Sequence, residues 1–187
     1  MDKTLEQKVA ESNSHRRCRE DIATLVLERR ELANDLISLA LEVNGENHFK
    51  ACWILEIVLE RDLSFLAPRL SEFCDNLQNW TNDSALRSVA KICVFCAREL
   101  QRQQDFLSEK QIVQITEACF RWLISDEKVA TKAYAIHTLF ETGKGLDWVY
   151  AELVPVLQQG FPNHSPAYRS VAKKVLFKIR KRYLSVP

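Results

Sequence analysis

Apolar residues return every three or four positions along almost the whole chain. From Arg16 to Val43 the positions Ile22, Leu25, Val26, Leu32, Leu36, Ile37, Leu39 and Ala40 keep that rhythm with no intervening glycine or proline. This predicts one long helix, or two with a bend near Arg30. Asn44-Gly45 then reads as a helix stop, with the glycine free to take the left-handed conformation past the last turn. The same spacing predicts helices over about 46–60 and 63–80, the latter with Pro68 in its first turns, and over about 84–100. Leu107-Ser108-Glu109-Lys110-Gln111-Ile112 combines a capping box with a hydrophobic staple and predicts a helix start at Ser108, stopping at Ser125-Asp126. Helices are expected over about 127–142 and 147–159. Gly160 and Pro162 end the second of these, and Ser165-Pro166 opens a final helix.

Within four of these helices one pattern repeats: a basic residue, small residues, then a large aliphatic or aromatic pair. The copies start at Lys50, Arg87, Lys132 and Arg169, spaced by 37, 45 and 37 residues. Such spacings are those of helical-pair repeats. The third residue after the cation is Trp53, Ala90, Ala135 or Ala172. Four further on stand Ile57, Val94, Leu139 and Leu176, followed by Val58, Phe95, Phe140 and Phe177. A small and a large residue at i and i+4 share a helix face, so one admits a neighbouring helix and the other fills the gap. Each pair exposes apolar surface on two sides, which neighbours above and below would cover.

The pattern resembles the HEAT-repeat family, in which the second helix of each repeat opens with an apolar-basic step before small residues and a leucine. That step stands here as Phe49-Lys50, Leu86-Arg87 and Tyr168-Arg169, while the third copy departs with Thr131-Lys132. The resemblance spans roughly residues 16–183. It implies an all-α fold, an α-α superhelix (HEAT-like solenoid) of about four helical pairs. Residues 1–14 would then be an N-terminal polar extension containing a short segment able to form a helix, and 15–187 a single repeat domain. An irregular helical bundle is the alternative, and the identical Arg-Ser-Val-Ala-Lys at 87–91 and 169–173 argues against it.

Composition changes this picture little. With 187 residues, 47% of them hydrophobic, the chain can bury a substantial core, and its ordinary charged fraction argues against disorder. The six cysteines lie inside apolar helical patterns and the first residues carry no charged-then-apolar leader, which predicts a soluble cytoplasmic protein with free thiols and no membrane span. Charge is more informative. The net value of +1 hides a strong asymmetry, because residues beyond Glu152 include Arg169, Lys173, Lys174, Lys178, Arg180, Lys181 and Arg182 and no acid.

Candidate chemistry is sparse. Cys93-x-x-Cys96 lies inside a helix without a second ligand pair at zinc-site spacing, which favours two core thiols over a metal site. The four histidines are scattered, and His137 is expected to be half-buried in packing. Neither a catalytic motif nor a phosphate-cradling glycine loop occurs. The sequence therefore predicts no enzyme, no cofactor and no metal. The expectation is a non-enzymatic protein-interaction or scaffold module that presents a concave helical-repeat surface to an unidentified protein partner. Lys50, Arg87, Lys91, Lys132, Arg169 and Lys173 are the candidate partner-binding residues. The alternative is a nucleic-acid-binding or DNA-repair protein, since HEAT-like repeats also occur in bacterial glycosylases for alkylated bases. Trp122, Asp147 and Trp148 are the groove-like residues here, but none matches that family's motif. Clustered cations on the last helix suit a polyanion bound in a salt-dependent way, or else a solvated end cap.

Overall fold

The computed structural model describes residues 3–160 and 164–184. Among them the chain is wholly helical, with ten α-helices, two 3-10 turns and no strand. No described helix is long and apolar enough to cross a membrane. Two compact units are present, residues 1–95 and 96–187.

In the first unit, α1 (Lys3–Glu11) places Leu5 and Val9 one turn apart, and both are buried where α1 packs on α3 and α4. Two apolar residues thus dock a segment that is otherwise polar. Ser12 closes the helix by donating its hydroxyl to the Val9 carbonyl at 2.7 Å. The 16–43 stretch is two helices, α2 (Arg16–Glu28) and α3 (Leu32–Leu41). Arg30 sits at the bend, its guanidinium 4.2 Å from the Phe65 ring centroid and 3.4 Å from Asp62.

Helix α4 (His48–Arg61) is the centre of this unit and packs against α1, α2 and α3. Its Ile54, Leu55, Val58 and Leu59 are buried, each stabilising the fold by about 1.5–3 kcal/mol. The turn before it differs from the expected left-handed cap, since no described glycine has a positive φ. At Gly45 the constraint is closeness instead. A Cβ there would stand 3.0 Å from the Glu42 carbonyl oxygen, which accepts the Gly45 amide at 2.7 Å.

The segment 63–80 is not the single helix its periodicity suggests. It forms 3-10 turns at Leu63–Phe65 and Ala67–Arg69, a short α5 (Leu70–Asp75) and further turns. Pro68 cannot donate to the Ser64 carbonyl and its ring would crowd that group. Asp62 adds a local competitor by accepting the Ser64 amide at 2.9 Å. The apolar side chains nevertheless turn inward: Phe65, Leu66, Leu70, Phe73, Leu77 and Trp80 are buried. The Trp80 indole donates to the Ala40 carbonyl at 3.3 Å, and the Cys52 thiol donates to the same oxygen at 3.7 Å. Burial pushes the Cys52 thiol up to about 12, against the pull of its contact with Trp80.

Helix α6 (Asp83–Leu100) opens on Asn82, whose side chain accepts the Ser84 and Ala85 amides. In the second unit, α7 (Glu109–Ile124) begins at Ser108 with the expected reciprocal capping box to Gln111. Helix α8 (Val129–Thr142) is central here and packs against α7, α9 (Asp147–Gly160) and α10 (Pro166–Leu184). The α8–α9 turn is tight because Tyr150 folds over Gly143 and donates to the Phe140 carbonyl at 2.8 Å. Ser165 caps α10, accepting the Tyr168 amide at 3.4 Å. Pro162, read as part of the stop after α9, lies outside the described residues.

The four repeat copies occupy α4, α6, α8 and α10. Ala90, Ala135 and Ala172 are fully buried in their units and Ile57, Val94 and Leu139 are buried, whereas Trp53 and Leu176 are half-buried. Along the next column Val58 is buried, Phe95 and Phe140 are half-buried and Phe177 is exposed.

Candidate functional site

The six candidate cations are not alike in their surroundings. Lys50 donates to the Ala10 carbonyl and ties α4 to the last turn of α1. Arg87 and Lys91 converge on Glu56, a carboxylate of α4 with only 7% of its side chain exposed. Ser88 Oγ donates to it at 2.6 Å and Lys91 Nζ at 2.9 Å, and Arg87 Nη1 stands 3.6 Å away. Lys91 also reaches Glu60 at 3.0 Å. Burial pulls the Lys91 pKa down, but its bonds to Glu56 and Glu60 outweigh that and hold the amine above its ordinary value.

In the second unit Lys132 is 6% exposed, within the core of α8. Arg169 and Lys173 are exposed on α10. The sequence cations therefore divide. Three have partners inside the chain, a fourth is buried, and two face solvent.

Helix α10 buries Tyr168, Ala172, Val175 and Ile179 on one face. Opposite them stands Phe177, 69% exposed. Its helical neighbours at i−4, i−3, i+3 and i+4 are Lys173, Lys174, Arg180 and Lys181, all cations. Lys178 leans toward α8, 5.4 Å from the Phe140 ring centroid, and Arg182 donates to the Lys144 carbonyl at 3.0 Å. Among the described residues no carboxylate pairs with Arg169, Lys173, Lys174, Lys178 or Arg180. Like charges one turn apart, such as Arg169 with Lys173 and Lys174 with Lys178, each cost the helix about 0.2–0.5 kcal/mol. A solvated end cap needs polarity but not a single sign of charge.

His137, half-buried on α8, feels the same field. Burial lowers its pKa first, then the charges of Arg98, Lys178 and Lys174, with Glu141 opposing them. Close by in sequence, Glu141 is bound by Lys144, and its carbonyl accepts from Gln101 at 3.1 Å. Gln101 and Lys144 line an open cleft of about 300 Å³ between Leu100, Ile112 and Leu146, and its Lys144 is already occupied by Glu141.

The second unit also carries a surface the sequence reading passed over. Helix α7 buries Ile115, Cys119, Trp122 and Leu123, yet Val113 and Ile124 on another face are exposed, Ile124 by 68%. Phe120 lies on that face and stacks on Trp148 of α9, ring centroids 6.0 Å apart and planes inclined by 27°. Trp148 is 45% exposed, whereas Trp122 is in the core and cannot line a groove. The signal was present in the spacing of residues 113, 120 and 124, which marks a second apolar stripe on an already amphipathic helix.

Cys93 and Cys96 are buried in α6. Among the described residues no group of three or more His, Cys, Asp or Glu side chains is placed to hold a metal. No family model, curated protein or solved structure matches the chain.

Proposed function

We propose that the chain is a HEAT-like helical-repeat protein of the α-α superhelix class, acting in the cytoplasm as a non-enzymatic module or scaffold that binds another protein. The repeat reading is supported by the shared register of the four copies, whose alanines at 90, 135 and 172 are fully buried on helices of the same kind. In the second unit the helices bearing the third and fourth copies, α8 and α10, pack directly on one another.

The observation that carries the binding role is the stripe of Val113, Phe120 and Ile124 with Trp148 stacked beside it. Val113, Ile124 and Trp148, left in water around the half-buried Phe120, are a seam for a partner helix. The stripe's own charges, Glu117 and Arg121, are of opposite sign, which suits the apolar face of an amphipathic protein helix better than a polyanion. Arg169 and Lys173 remain as candidate contacts of a separate face.

A crosslinked affinity pull-down from the native cell tests this reading, with the parent chain run beside the variant Ile124→Asp/Trp148→Ala. One protein recovered in stoichiometric amount by the parent and lost with the variant is the expected result. Recovery of no stoichiometric protein, or equal recovery by both, rejects it.

A further inference from the structure

We infer that the outer face of α10 is a binding site for single-stranded nucleic acid, with Phe177 as the stacking platform and the surrounding cations as phosphate contacts. This surface lies on a different helix from the α7 stripe, and the inference stands independently of the protein-docking reading.

Three observations converge. The first is the absence of compensation: Arg169, Lys173, Lys174, Lys178 and Arg180 have no carboxylate partner among the described residues, and no acid occurs in the sequence after Glu152. A row of like charges on one helix is relieved by a polyanion whose own charges repeat along a line. The second is spacing. Arg169, Lys173, Phe177 and Lys181 follow one another at four-residue steps on the side away from the buried stripe, about 6 Å per step along an α-helix. A flexible phosphodiester strand can set successive charges against such a ladder.

The third observation selects the class of polyanion. Phe177 is 69% exposed and every helical neighbour one turn away is a cation. An acidic peptide would be satisfied by the ammonium and guanidinium groups alone and gives this ring no special role. A duplex keeps the faces of its bases inside its own stack. An unpaired strand offers both elements the face lacks: phosphates for the cations, and a free base to lie on the ring. Recognition by stacking and charge has little sequence preference, so the site accepts single strands generally.

The test is fluorescence anisotropy of the full chain with a labelled oligothymidylate and with a duplex of equal length, titrated between about 50 and 200 mM salt. Tighter binding of the single strand is expected, weakening steeply with salt. Phe177→Ala should weaken single-strand binding by about tenfold with the salt slope retained, and Phe177→Trp should keep it. Lys173→Glu/Lys174→Glu/Lys178→Glu/Lys181→Glu should abolish it and leave the helical circular dichroism in place. The inference is overturned if strand and duplex bind equally and Phe177→Ala changes neither. It is overturned as well if poly-glutamate competes as effectively as the oligonucleotide, or if the chain does not bind the strand at the lowest salt. Because Phe177 makes so little contact with the core, loss on its substitution cannot be assigned to unfolding when the dichroism is unchanged.

Discussion

Glu56 and Ser88 are joined by a 2.6 Å hydrogen bond between α4 and α6, with the serine fully buried and the carboxylate nearly so. Lys91 completes the pairing at 2.9 Å. A carboxylate taken out of water is tolerated only while its oxygens are met by donors and a countercharge. Glu56→Ala strands Lys91 against Glu60 alone and leaves the Ser88 hydroxyl without its acceptor. A loss of about 3 kcal/mol is expected, read from the urea midpoint. Ser88→Ala, which leaves the ion pair in place, should cost about 1.5 kcal/mol. Equal effects of the two changes would contradict this division.

His137 gives the second unit a pH dependence of definite sign. Its pKa in the folded chain is lowered by burial and then by Arg98, Lys178 and Lys174. As pH falls, the unfolded chain takes up this proton near the ordinary histidine value of about 6.5, before the folded chain does. The contribution is therefore complete above about pH 6.5 and disappears as pH drops toward the lower, folded value. Urea midpoints at pH 7.5 and 5.5 should fall further for the parent than for His137→Gln. A histidine titration by nuclear magnetic resonance should place His137 below 6.5, and Lys178→Gln should move it upward. A midpoint at or above that of a free histidine would refute the assignment.

Gly143 and Gly145 flank the same turn but should respond oppositely to alanine. A Cβ at Gly143 would meet the Tyr150 ring at 2.3 Å, whereas at Gly145 nothing lies within 4 Å. Neither has a positive φ, so the difference is steric and not conformational. Gly143→Ala should destabilise by about 1–3 kcal/mol through displacement of Tyr150 and its bond to the Phe140 carbonyl. Gly145→Ala should be neutral or stabilise by up to about 1 kcal/mol. Thermal unfolding of the two variants side by side provides the comparison.

The helices from 83 to 160 were legible because their signals are local: Asn82 and Ser108 supply caps, and each opens a helix whose apolar period runs to its end. The 63–80 segment was not, because one missing amide at Pro68 and one competing side chain at Asp62 defeat a helical period that burial still respects. Charge was legible in sign and position but not in destination. Nothing near Lys91 in sequence announces Glu56, 35 residues earlier, as its partner. Lys132 shows the same limit, since a cation at the head of a repeat gives no sign that its neighbours will enclose it. On α7 the stripe of Val113, Phe120 and Ile124 was visible, but a helix apolar on two sides does not say which side the core will take.

The Ala40 carbonyl near the end of α3 accepts both the Trp80 indole and the Cys52 thiol. Carbonyls in a last helical turn have no acceptor role within their own helix, and this one is completed by groups 40 and 12 residues further along. The end of α3 is thus finished only when the chain as far as Trp80 is in place, so the amides of this stretch are expected to exchange with solvent together and not helix by helix.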